Sequence, residues 1–273
     1  MSKMVERMQI IVGSQDFESS IVNTLEATNA TRDCQRAWSD MTRFEIDPER
    51  MEKHRIISFS HSHSACASID MVRTNIWHAF QRHKWNTIAV CSPTPNCGKS
   101  MLCANLAFSF SRLSECRTVL IDLDLRRPQI GHILGLKELD PIEKFLKEES
   151  PMERCFARCE PSSAEGNLAV AVASGEINTC AELLQSKSAK RTIGRLKREL
   201  QPHVVLVDLP PMLSSDDALS FLPNVDCVLL VVAAEETNIP QIDVCERELA
   251  GKTNFLGVVL NKCRYSMEAH GYY

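Results

Sequence analysis

The segment TIAVCSPTPNCGKSMLCAN, residues 87–105, decides how the rest of the chain is read. An apolar, β-branched run (Thr87, Ile88, Ala89, Val90, Cys91) stops at Ser92, and a loop with two prolines follows. Gly98, Lys99 and Ser100 then open a helical pattern through Leu102, Leu106, Phe108 and Phe110. Strand, loop and helix in that order form an anion site, because loop amides and a helix N-terminus both present N–H donors. In such a site Lys99 reaches the β and γ phosphates and the Ser100 hydroxyl ligates Mg²⁺. The stretch Pro95, Asn96, Cys97, Gly98, Lys99, Ser100 and Met101 is thus the candidate ATP-binding loop. Its match is incomplete. Pro93 stands five residues before Gly98, where a full loop has glycine, and Asn96 stands two residues before it, where many loops have another. Asn is the non-glycine residue that best tolerates a left-handed backbone, so Asn96 can serve. The bland alternative is a turn that merely spells GKS.

Outward from this segment, further buried strands are predicted at Thr118–Leu123, Val204–Val207, Cys227–Val232 and Phe255–Leu260, with an extra one at Asn167–Ala173. Helical patterns cover Ala65–Trp85, Pro141–Glu149, Ala181–Leu184, Ala189–Leu200 and Pro240–Leu249. Strands alternating with helices predict an α/β fold, a mostly parallel doubly wound sheet of the P-loop NTPase type with helices on both faces. Three carboxylates emerge at strand ends: Asp122 and Asp124 after the second strand, Asp208 after the third. Ligands of open α/β sheets sit beyond the carboxyl ends of the strands, which is where Lys99 also stands. Magnesium takes one or two carboxylates beside nucleotide phosphates, and phosphoryl transfer also needs a group near the attacking hydroxyl. The bland reading of each aspartate is a turn or cap residue.

Composition narrows the classes. The chain has 273 residues, with 31 basic and 35 acidic ones and a formal net charge of −4. That balance argues against nucleic acid as a partner. No apolar run is long enough to span a membrane, and the N-terminus resembles no secretory signal. Of 12 cysteines, Cys91, Cys103, Cys227 and Cys245 fall in apolar patterns, where free Cys acts as a small hydrophobe. Cys155 and Cys159 are the one close pair and lack a second pair to complete a zinc set, so the cysteines read as reduced and the compartment as cytoplasmic. The chain divides into an N-terminal extension over 1–64, partly disordered or used for docking, a nucleotide-binding domain over 65–264, and a tail over 265–273. HSHS at 61–64 reads as a solvated joint rather than a metal site.

All three tyrosines of the chain, Tyr265, Tyr272 and Tyr273, lie in its last nine residues. Tyrosine is a good core residue, so its absence from the other 264 suggests a mobile acceptor cluster for phosphate, with an accidental tail as the bland alternative.

IDLDLRRP (121–128), with GKS (98–100), ANLA (104–107), VLVDLPP (205–211) and GVVLNK (257–262), resembles the bacterial tyrosine kinases of capsule and exopolysaccharide synthesis over roughly residues 67–273. The segment ASGEINTCAELLQS (173–186) is similar to another family stretch. The resemblance implies an ATP- and Mg²⁺-dependent autokinase that phosphorylates C-terminal tyrosines in trans and regulates polymer assembly or export. It makes Lys99 a phosphate ligand, Ser100 a Mg²⁺ ligand, Asp122 the base or phosphate-side carboxylate, and Asp124 and Asp208 metal-site carboxylates. Arg126 matches the family's arginine, Asn261 the residue that contacts adenine, and the three tyrosines its phospho-acceptors. A membrane chain-length determinant would be the activating partner at the inner face of the membrane. Family members carry Glu-x-x-Arg-x-x-Arg for ring assembly. Here Ala67, Asp70 and Arg73 occupy those positions, which implies a homo-oligomer that is weaker or differently built. The signature lysine of partition and division-site ATPases is replaced by Thr94. A partition-type regulatory ATPase and a non-catalytic nucleotide-binding scaffold remain the alternatives.

Overall fold

The computed structural model describes residues 31–60, 66–160, 167–175 and 177–263. Eight strands form one sheet: β1 (Thr42–Glu45), β2 (Thr87–Cys91), β3 (Thr118–Asp122), β4 (Phe156–Glu160), β5 (Leu168–Ala171), β6 (Val204–Asp208), β7 (Cys227–Ala233) and β8 (Asn254–Asn261). Their order is β1-β4-β5-β3-β6-β2-β7-β8. Every pairing is parallel except β4 with β5. The central strands β2, β3, β6 and β7 are buried at every position. Covered on both faces, they carry continuous apolar runs rather than an alternation, which is why they were legible in the sequence.

Side chains alternate between two cores, one on each face. Ala89, Ile121, Val207 and Leu230 point into one, and Val90, Leu120, Leu206 and Leu229 into the other. The second core is covered by helices α1 (Pro48–Lys53), α2 (Cys66–His83), α3 (Lys99–Ser111) and α4 (Ile130–Leu134). The first is covered by α5 (Ile142–Leu146), α6 (Met152–Cys155), α7 (Cys180–Gln185), α8 (Lys187–Leu200), α9 (Asp217–Phe221) and α10 (Ile239–Leu249). Helix α3 lies against α2 and the sheet, so nearly all its residues are buried and its apolar pattern runs around the whole cylinder. Cys155 belongs to one core and Cys159 to the other, so the sheet separates the one pair that suggested zinc. Burial pushes the thiols of Cys159 and Cys227 up to about 12, which keeps them protonated and unreactive.

Two strands escaped the sequence reading. β1 (TRFE) and β4 (FARCE) place Arg43 opposite Arg158, and Arg43 pairs with Glu160 at 2.7 Å. Strands at a sheet margin carry charges that blunt the edge, and the same charges hide them from an apolar-run criterion. Residues 31–60, expected to belong to an N-terminal extension, therefore contribute to the domain. They supply β1 and α1, and the helical residues 31–39 bury Cys34 and Trp38, whose Nε1 donates to the Leu200 carbonyl at 2.9 Å. The HSHS joint lies outside the described residues.

Candidate active site

The loop after β2 is held from both sides. The amides of Met212 and Leu213 donate to the carbonyls of Ser92 and Pro93 at 2.8 and 3.1 Å, tying it to the segment that follows β6. Asn96 adopts φ +65°, the left-handed conformation that its residue type tolerates. Gly98 caps α3 with φ +90° and no side-chain cap, which leaves the first helical N–H groups for a ligand. A Cβ on Gly98 would stand 2.2 Å from Asn261 Nδ2, so any other residue there would displace Asn261 from the loop as well as strain a left-handed backbone. That same Nδ2 donates to the Cys97 carbonyl at 2.8 Å, bringing the end of β8 onto the loop.

Lys99, 7% exposed, is bracketed by carboxylates. Its Nζ donates to Asp124 Oδ2 at 2.8 Å, lies 3.7 Å from Asp208 Oδ1, and reaches Ser100 Oγ at 3.3 Å. Burial alone would lower its pKa, but Asp208 and Asp124 outweigh that and hold it raised. Asp122 and Asp208 are register partners at the ends of adjacent strands, both fully buried. Asp208 has no hydrogen-bond partner of good geometry on either oxygen. Burial raises its pKa, and Lys99 and Ser100 beside it pull it back. Asp122 differs: its oxygens accept the amides of Asp124 (3.1 Å), Gln129 (3.0 Å) and Ile130 (2.9 Å). Burial first, and the charge of Asp208 next, hold its carboxyl well above the usual range. Three carboxyl groups surround one ammonium, burial raises the pKa of two of them, and the Asp208 carboxyl, without a well-formed hydrogen bond, lies beside the Ser100 hydroxyl. That donor set suits a hard divalent cation.

Arg126 makes a bidentate pair with Asp217, a 1% exposed residue opening α9. Asp217 went unnoticed in the sequence, where the Ser-Ser-Asp-Asp run after VDLPP is its only signal. The pair links the loop after β3 to the segment after β6, and between them opens a cleft of about 610 Å³. Among the expected residues, Pro95, Asn96, Gly98, Lys99, Ser100 and Met101 line it, as do Asp124 and Arg126. Cys97, Asp122, Asp208 and Asn261 are not among its lining residues. Cys97 is buried, and its Sγ donates to the Thr94 carbonyl at 3.3 Å. His54, Arg127 and Gln129 complete the rim without having been singled out from sequence. Tyr265, Tyr272 and Tyr273 lie outside the described residues.

Comparison with known proteins identifies the family. Residues 88–271 match the family described as the CobQ/CobB/MinD/ParA nucleotide binding domain. The chain is 31% identical to tyrosine-protein kinase YwqD of Bacillus subtilis over 205 residues, which is 74% of this chain and 83% of that protein. It is equally 31% identical to tyrosine-protein kinase CpsD of Streptococcus pneumoniae serotype 4, over 69% of this chain and 81% of that one. Among solved structures, the VpsO kinase domain superposes with a TM-score of 0.64 at 25% identity, covering 78% of this chain and 98% of that domain.

Proposed function

The chain belongs to the bacterial tyrosine kinases built on the CobQ/CobB/MinD/ParA nucleotide binding domain, and we propose that it transfers the γ-phosphate of ATP to tyrosines in the tail of a neighbouring copy. The observation that carries this reading is the Lys99 ammonium held between Asp124 and Asp208 at the mouth of the loop. Held there, Lys99 is kept charged before substrate arrives, and when the triphosphate enters its ammonium turns from Asp124 to stabilise the transferring phosphoryl group. The amides from Asn96 to Ser100 bind the β and γ phosphates. Ser100 and Asp208 would hold Mg²⁺, with Asp124 reaching it through water, and the ion when bound would supply charge neutralisation at the phosphates.

A tyrosine oxygen attacks the γ-phosphorus, the bond to the bridging oxygen of ADP breaks, and the tyrosine loses its proton. Asp124 is the one carboxylate of the three that lines the cleft. It takes that proton once Lys99 turns from it to the phosphates. Asp122, bonded to three amides, shapes the Asp124 loop instead of meeting the acceptor. The Arg126–Asp217 pair fixes the opposite wall. The acceptors are Tyr265, Tyr272 and Tyr273, and the modification regulates capsule or exopolysaccharide polymerisation or export. No helix among the described residues is long and apolar enough to cross a membrane. A membrane chain-length determinant would bring the kinase to the inner face of the membrane and activate it there.

Incubation with γ-labelled ATP and Mg²⁺ tests the reading, using the native chain and a variant with all three tyrosines changed to Phe. Label on the native chain and none on the variant is expected. Free phosphate without labelled protein would make the chain a partition-type ATPase, and tight ATP binding with neither would make it a scaffold.

A further inference from the structure

Residues 47–58 lie before the family-matched region, which begins at 88, yet they are fastened to two walls of the cleft. Asp47 caps α1 by accepting the amides of Glu49 and Arg50. Met51 and Ile56, both fully buried, anchor the segment in the core beneath α3. Asn105, buried one turn past the phosphate loop, accepts the amides of Ile57 and Ser58 at 2.8 and 3.1 Å. Its Nδ2 donates to the carbonyls of Arg55 and Met101 at 3.0 and 2.9 Å. On the other side Arg50 Nη1 donates to the His132 carbonyl at 3.0 Å, and its side chain packs where Gly135 leaves room. The result is that His54, half-buried, faces the cleft with its ring edge-on to His132 at 4.9 Å.

We infer that this segment is a built-in wall of the nucleotide cleft and that His54 donates a hydrogen bond to an oxygen of bound ATP. The inference rests on the nucleotide-binding reading of the cleft. The cleft has two sides. Arg126, Pro211, Ser214 and Ser215 belong to the side joined to β6 and α9, whereas His54 stands with Met101 and Ile133 on the α3–α4 side. Met101 directly follows Ser100 at the start of the loop's helix, so the His54 side borders the turn that receives the phosphates. Burial, then the neighbouring charges of His132, Arg50 and Lys53, lowers the pKa of His54. The ring therefore stays neutral at physiological pH and keeps one N–H to donate. Its volume of about 610 Å³ places the cleft in the range of roughly 300–1,000 Å³ typical of small-molecule sites.

Titration calorimetry with Mg–ATP on the native chain, His54→Ala and His54→Gln tests this. Loss of the donor should weaken ATP binding about five- to tenfold, and His54→Gln, which keeps an N–H, should recover most of it. KM for ATP should rise in His54→Ala with kcat nearly unchanged, and the melting temperature should stay at the native value. Equal affinity in native chain and His54→Ala overturns the inference and leaves the kinase reading standing. So does a rise confined to the KM of the tyrosine acceptor, or a drop in melting temperature that Gln fails to rescue. A native chain that binds no Mg–ATP removes both readings together.

Discussion

Asn261, at the end of β8, donates its Nδ2 to the carbonyl of Cys97 in the phosphate loop, joining residues 164 positions apart. The same atom stands where a Cβ on Gly98 would have to go. Gly98→Ala should therefore meet both a clash and a left-handed backbone cost of about 1–2 kcal/mol. We expect a lower melting temperature and loss of ATP binding by calorimetry. Asn261→Ala keeps the glycine and frees the Cys97 carbonyl, so it should loosen the loop and weaken ATP with a milder effect on melting. Native affinity in Gly98→Ala would contradict the packing described.

Asn96 already holds φ +65°. From sequence alone, a glycine at this position would be expected to speed the enzyme by easing the turn. With the turn already formed, Asn96→Gly should change the autophosphorylation rate little, whereas Asn96→Ala should slow it, at a backbone cost of about 1–2 kcal/mol. Initial rates at saturating ATP distinguish the two substitutions.

Lys99→Ala removes the ammonium that Asp124 and Asp208 enclose. ATP affinity should fall by about 1.5–3 kcal/mol for each charged hydrogen bond lost to phosphate, and autophosphorylation should vanish. Unchanged labelling would refute the assignment of the site.

Asp208→Asn should do the opposite to stability. Burial outweighs the pull of Lys99 and Ser100 on this carboxylate, and Lys99 keeps Asp124 as its partner, so neutralising Asp208 should stabilise the nucleotide-free protein by about 0.5–2 kcal/mol. Mg²⁺-dependent phosphorylation should be lost at the same time. Thermal unfolding without nucleotide, set beside a labelling assay, reads both effects; a less stable Asp208→Asn protein would show that Asp208 serves the fold.

Asp70 gathers Arg73, Arg112 and the Ser109 hydroxyl between α2 and α3. Burial alone would raise its pKa, but Ser109, Arg112 and Arg73 reverse that and lower it. A depressed carboxylate stabilises the fold above its ordinary value of 3.8, and that contribution is lost as pH falls through the lower folded value. Asp70→Asn should thus cost about 2–3 kcal/mol at neutral pH, the gap from the native chain closing below pH 3.8. Denaturant melts at pH 7 and in acid check the sign. Because Arg73 is engaged within its own chain, the ring contact suggested by the family motif should also be weak. A stable octamer-like ring of the unphosphorylated protein, seen by light scattering, would refute that.

Legibility tracked burial and locality. The strands β2, β3, β6 and β7 announced themselves because each is enclosed on both faces and so written as an apolar run. The carboxylates at their ends could be placed near Lys99 because parallel strands end on one side of a sheet. The marginal strands β1 and β4 could not be read, their arginines and glutamates looking like loop. Nor could the separate duties of the aspartates: Asp122 and Asp124 are two residues apart, yet one is bonded to three amides and the other lines the cleft.

The sequence by itself determined the loop chemistry of residues 95–101, the parallel α/β sheet and the gathering of acidic strand ends beside Lys99. All of these depend on residue type and near-neighbour pattern. Only the tertiary structure decided that Asn261 reaches the loop, that Asp217 holds Arg126, and that His54 faces the cleft. Those contacts join segments far apart in the chain, and a polar side chain carries no local mark of which distant group will satisfy it once both are buried.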